Sequence, residues 1–183
     1  LSWINDGYGK QQNEAKLWDR YWPAADRPMP DPLWPKATEA KRATNGYLYS
    51  KPIVVGKSAE GRPPHFFDWA PDPQPESKTA DHQVVDWAIG ELMQRRPQPF
   101  FQAVGIFRPH IPWYAPEKYF ALYPEDKVFL PKIKKNDLAD VPPAGHRGIR
   151  KAWHEWMVKN DEWRGAVRGY LASISFADAQ VGR

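Results

Sequence analysis

The sequence predicts an α/β protein, and three observations carry that expectation. Val85, Ala88, Ile89, Leu92 and Met93 recur at helical spacing. The run from Pro99 to Phe107, PFFQAVGIF, is apolar on both faces, the mark of a strand buried in a parallel sheet flanked by helices. Helix, tight turn and strand together make half of a βαβ unit.

Before that unit the chain reads differently. Residues 1–80 form a long, irregular half rich in proline and tryptophan. Pro23, Pro28, Pro30, Pro32 and Pro35 fall close together, as do Pro63, Pro64, Pro71, Pro73 and Pro75. Tyr47, Tyr49, Ile53, Val54 and Val55 predict one short strand or hairpin arm between them. The rest is expected to be ordered loop, pinned by Trp18, Trp22, Trp34, Phe66, Phe67 and Trp69. A loop this long fits best as an insertion on a larger body.

Residues 81–183 carry the regular elements. Thr79 or Asp81 can cap the first helix, and Arg95-Arg96 before Pro97 suit its carboxyl end. After the strand, APEKYFALY predicts a short helix with Pro116 in its first turn. KVFLP reads as a short extended piece and NDLADVPPAG as a loop. A helix is expected from about Gly148, carrying Ile149, Trp153, Trp156 and Met157. A last helix starts near Asp161, with Trp163, Val167, Tyr170, Leu171, Ile174 and Val181 on one broad face. A single strand buried on both faces cannot form a sheet alone. The chain is therefore expected to be an internal segment of one larger α/β domain, spanning all of 1–183.

The bulk numbers set limits. At 183 residues the chain can bury a real core. Its net charge is +4, its pI about 9.2 and its mean hydropathy -0.73. The basic residues form small knots (Lys132, Lys134 and Lys135; Arg147, Arg150 and Lys151) with no nucleic-acid recognition pattern, so solvated surface is the expected role. No apolar run approaches the ~20 residues of a membrane span. The absence of cysteine removes disulfides and thiolate chemistry.

The strand delivers the loop Arg108-Pro109-His110-Ile111-Pro112-Trp113. A residue just after a central strand sits where open α/β sheets bind ligands. The two prolines restrict the backbone on either side of one imidazole. His110 is thus either a site residue or a hydrogen-bonded turn histidine. Arg108 can hold an anion or pair with a structural acid. Trp113 can line a pocket or pack beneath the loop. His65, His82, His146 and His154 have simpler readings as loop, cap-region or surface residues. His154-Glu155 is not followed by the second histidine of a zinc-protease motif.

PFFQAVGIFRPHIPWYAPEKYFALYP resembles a segment of sulfatases of the iduronate-2-sulfatase type. Their strand ends in a Lys/Arg-Pro-His-hydrophobic-Pro-aromatic loop before a Pro-x-Lys-Tyr-Phe helix. VFLPKIKKNDLADVPPAG, YLASISFADAQVGR and ADHQVVDWAIGEL resemble further pieces of the same family, in order. The likeness covers residues 65–183 well and residues 1–64 loosely, through LWDRYWP. It implies a partial alkaline-phosphatase-like α/β/α fold and hydrolysis of sulfate esters. It also implies a formylglycine nucleophile, made from Cys or Ser in a Cys/Ser-x-Pro-x-Arg motif, and a calcium ion on the sulfate oxygens. His110 matches the family's sulfate-contacting histidine, and Arg108 and Trp113 are expected near the substrate. A sulfated glycan or small molecule is the implied substrate, in a secreted, periplasmic or lysosome-like setting.

The departures are specific. No Cys/Ser-x-Pro-x-Arg motif, Asp-Asp pair, Asp-His-Gly, Asp-Asn-Gly or Gly-Lys-x-x-His motif occurs in these residues. Formylglycine and calcium ligands are expected in remaining parts of a longer chain, and the segment alone is expected to be inactive. Two other readings stay open. One is a non-catalytic carbohydrate-binding module with Trp3, Trp18, Trp22, Trp34 and Trp69 on one face. The other is a phosphoester or phosphonate hydrolase of the same superfamily.

Overall fold

The computed structural model describes residues 18–20, 22, 69–146 and 151–183. The strand arm expected at Tyr47–Val55, and Trp34, Phe66 and Phe67, lie outside them, as do His65, Gly148 and Ile149.

Strand β1 (Trp69–Asp72) and strand β2 (Trp113–Pro116) pair in parallel, with Trp69 opposite Trp113 and Asp72 opposite Pro116. Between them runs helix α1 (Ala80–Leu92). The parallel βαβ logic therefore holds, but on other strands than those the sequence predicts. Pro71 and Pro116 lie inside the two strands, and proline ordinarily argues against a strand. A two-stranded sheet accommodates them because each strand has an edge that makes no ladder bonds among the described residues.

The expected strand at Phe100–Phe107 is corrected. Residues 99–107 carry no regular secondary structure and no strand ladder among the described residues. Phe101 is 80% exposed, and Phe100 and Val104 are exposed too. A strand is buried on both faces only where neighbours and helices cover it. Here α1 is the visible partner: Gln102 Nε2 donates to the Ala88 carbonyl oxygen at 3.0 Å.

Helix α1 starts where capping predicts. Thr79 is its N-cap and accepts from the His82 backbone N–H at 3.4 Å. At the other end, Arg96 donates to the Glu91 carbonyl oxygen and pairs with the Glu91 carboxylate at 2.8 Å. The short helix α2 (Glu117–Ala121) follows β2, with Pro116 as N-cap. A 3-10 turn covers Glu125–Lys127. KVFLP leads out of that turn without forming a strand, and the next loop closes in a one-turn helix, α3 (Pro143–His146). Helix α4 (Lys151–Lys159) takes up the segment expected from Gly148.

Helix α5 (Trp163–Gly182) closes the core with a face the sequence reading did not choose. Its buried residues are Gly165, Ala166, Gly169, Ala172, Ser173, Phe176 and Gln180. Tyr170 and Ile174 are exposed, and Val181 is 74% exposed. The small residues let α5 lie directly on β1. A β-carbon at Gly169 would stand 2.5 Å from the Trp69 β-carbon, and one at Gly165 would stand 2.9 Å from its indole nitrogen. Further along, Phe176 and Ala172 pack with Ala115, Tyr119 and Phe120.

Candidate functional site

The candidate site is the loop 108–112, which enters β2 at its amino end. The sequence reading places it beyond the carboxyl end of a strand. In the observed sheet it precedes β2, and only the irregular segment 99–107 leads into it. The Arg108–Pro109 and Ile111–Pro112 peptide bonds are both cis.

Local hydrogen bonds fold this loop tightly. The His110 backbone N–H donates to the Phe107 carbonyl at 2.9 Å, and the Tyr114 N–H donates to the Pro112 carbonyl at 3.0 Å. The Trp113 indole N–H donates to the Pro109 carbonyl at 2.8 Å, while its ring lies 5.2 Å from that of Tyr170 on α5. Trp113 thus spans from the loop to α5.

His110 is exposed, with its ring 4.8 Å from the Phe107 ring. Its Nδ1 lies 2.6 Å from the Ile111 carbonyl oxygen. A carbonyl can only accept, so that bond places a proton on Nδ1. The chemistry of the ring toward a ligand then runs through Nε2, which accepts when the ring is neutral and donates when it is doubly protonated.

Arg108 lies inside the protein, 7% exposed. Its Nε donates to the Tyr114 carbonyl at 2.6 Å. The Asp81 carboxylate accepts from the Phe107 N–H at 2.7 Å and from the Arg108 N–H at 3.1 Å. Burial lowers the pKa of the guanidinium, and the charges of Asp81 and Asp72 oppose that shift. Burial also raises the Asp72 carboxyl pKa, against hydrogen bonds from Gln74 and the Arg108 charge. The sequence reading considered Asp81 only as a cap and did not single out Asp72. Their role depends on the fold bringing β1, α1 and the loop together.

The other histidines among the described residues have local contacts. His82 lies 3.7 Å from Glu76 and 3.5 Å from Asp86. His146 Nε2 is 2.9 Å from the Val141 carbonyl oxygen, and His154 meets the Trp163 ring edge-on. Trp69 is buried, Trp22 stacks on Trp87, and Trp18 stacks on Phe101. Trp18 and Trp22 thus meet the chain's own rings, with Trp18 still 40% exposed; Trp3 and Trp34 lie outside the described residues.

Among the described residues no group of three His, Cys, Asp or Glu side chains is placed to hold a metal ion. These residues therefore do not fit a calcium ion. No helix among them is long and apolar enough to cross a membrane.

Over about 60% of its length the chain is similar to curated sulfatases, a partial match to longer proteins. It is 37% identical over 119 residues to a sulfatase of Formosa agariphila, a match covering 63% of this chain and 24% of that protein. It is 30% identical over 133 residues to the iduronate 2-sulfatase of Homo sapiens, covering 60% of this chain and 22% of the relative. The Mus musculus iduronate 2-sulfatase is 30% identical over 132 residues, covering 59% and 22%. The chain thus spans about a quarter of the length of the curated relatives it matches. No family model and no solved structure matches it.

Proposed function

We propose that this chain is part of a sulfuric ester hydrolase and that His110 is one of its sulfate-contacting residues. The curated sulfatases support the class. The observation that carries the site is the exposed imidazole, with Nδ1 bonded to the Ile111 carbonyl inside a tightly bonded loop. In this reading the whole protein has an alkaline-phosphatase-like α/β/α fold. Residues 69–183 supply one wall of the site. A sulfated carbohydrate is the proposed substrate. The formylglycine and calcium ligands belong to parts of the protein outside these 183 residues.

His110 has a definite task in that reaction. With its Nδ1 proton on the Ile111 carbonyl, the ring donates to a sulfate or ester oxygen only as an imidazolium, through Nε2–H. A positioned donor to developing charge in a water-poor site lowers the barrier by a few kcal/mol. Arg108 lies buried behind the loop, and the Trp113 indole N–H holds the Pro109 carbonyl.

The test uses the full-length protein and an aryl sulfate ester, with the matching phosphate ester as control. His110→Ala is expected to lower kcat by about 10²–10³-fold. Wild-type turnover in that variant would remove His110 from the site. Preferred cleavage of the phosphate ester would move the chain to the related phosphoester reading.

A further inference from the structure

We infer that Arg108 and Asp81 are positioning residues that fix His110 from inside the protein, with Arg108 making no substrate contact; the inference rests on the sulfatase reading for the reaction it serves. A guanidinium stays charged at any ordinary pH, so burying it requires negative neighbours. Asp81 on α1 and Asp72 at the end of β1 supply negative charge that opposes the effect of burial, and Asp81 also bonds the Arg108 backbone N–H.

The hydrogen bonds tie both ends of the loop to one residue. At the entrance, the Phe107 and Arg108 N–H groups donate to the two oxygens of Asp81. At the exit, the Arg108 Nε–H donates to the carbonyl of Tyr114, inside β2. His110 lies between these ties. Trp113, whose indole N–H donates to the Pro109 carbonyl, closes the same span from within.

The support beneath is rigid. Asp81 is buried in the first turn of a helix that Thr79 caps. Tyr114 is almost wholly buried and packs with Ala70. A movement of the guanidinium or of the Asp81 carboxylate is therefore carried to the imidazole, where a misplacement of about 1 Å can cost 10²-fold in rate.

The experiment uses the full-length protein with Arg108→Met, Arg108→Lys and Asp81→Asn. Each is followed by aryl sulfate kinetics and by hydrogen–deuterium exchange. Arg108→Met and Asp81→Asn are expected to lower kcat by about 10- to 100-fold with KM held within about twofold. Arg108→Lys, which keeps the charge, is expected to recover part of that loss. Exchange is expected to rise at residues 107–114 in the two damaging variants and to stay at the wild-type level in α5.

A raised KM with unchanged kcat would mean that Arg108 touches the substrate, and would overturn the inference. Unchanged exchange at 107–114 would overturn it too. So would loss of protection throughout every variant, since that is a folding effect alone. If the wild-type protein cleaves no sulfate ester, the sulfatase reading fails, and the exchange pattern alone decides whether the brace exists.

Discussion

Gly169 has no room for a methyl group. With Trp69 already 2.5 Å from where its β-carbon would stand, Gly169→Ala must push α5 away from β1. Such overpacking is expected to destabilise the protein by about 1–3 kcal/mol, measured by urea unfolding. Gly90 makes the contrast. It lies in α1 with nothing within 4 Å of a built β-carbon, so Gly90→Ala is expected to stabilise by about 0.5–1 kcal/mol. The composition of α5 does not separate these cases. Its bulky residues drew the sequence reading to Tyr170, Ile174 and Val181. The small face becomes meaningful only when Trp69 is known to lie against it. His110 and its prolines were legible because they interrupt an apolar run. Asp72 and Asp81 were not, because their value lies in contacts between elements.

Elements with their own signals were read well. Helices α1, α2 and α5 occur where the sequence places helices, although α5 turns another face inward, and Thr79 does what a cap residue should. Thr79→Ala is expected to cost about 1 kcal/mol, since it removes both the acceptor for His82 N–H and the hydroxyl donor to the Glu76 carbonyl. The strands were hidden for the opposite reason: each is four residues long and contains proline, so tertiary packing decides them.

Packing between elements also sets a pH response. The Glu76 carboxylate accepts from Gln180 on α5 at 3.0 Å and from the Tyr119 hydroxyl on α2, and it pairs with Lys118 at 2.5 Å. Burial acts to raise its pKa, but the bonds from Lys118 and Gln180 outweigh it, so the carboxyl lies below its ordinary 4.5. A depressed carboxyl stabilises the fold above the unfolded value, and that support is lost as pH falls through the folded one. Glu76→Gln is therefore expected to lower Tm at neutral pH, with the gap from wild type closing well below pH 4.5. A gap that stays constant with pH would remove Glu76 from this role.

At the scale of the molecule, the likeness to sulfatases was legible and the full set of site residues was not. The ordered likeness from ADHQVVDWAIGEL to YLASISFADAQVGR pointed to sulfatases, and the curated relatives agree over about 60% of the chain. With no Cys/Ser-x-Pro-x-Arg motif in the sequence, the 183 residues alone are expected to release no sulfate from an aryl sulfate ester. Ion chromatography of the product would check this, and measurable turnover would place a nucleophile within the chain. The unmade strand at 99–107 shows why the sheet could not be read from these residues. An apolar run records what its surroundings demand, not which residues supply them.

The bond from Gln180 to Glu76 joins residues 104 positions apart, across the same helix that covers Trp69. A growing polypeptide makes β1, α1, β2 and α2 long before α5 exists. Until then Trp69, Tyr119 and Phe120 have no cover from α5, and early folding must proceed without the element that completes the core. The interval between making Trp69 and making Phe176 is when a nascent chain is most open to chaperones and to sticking to its neighbours.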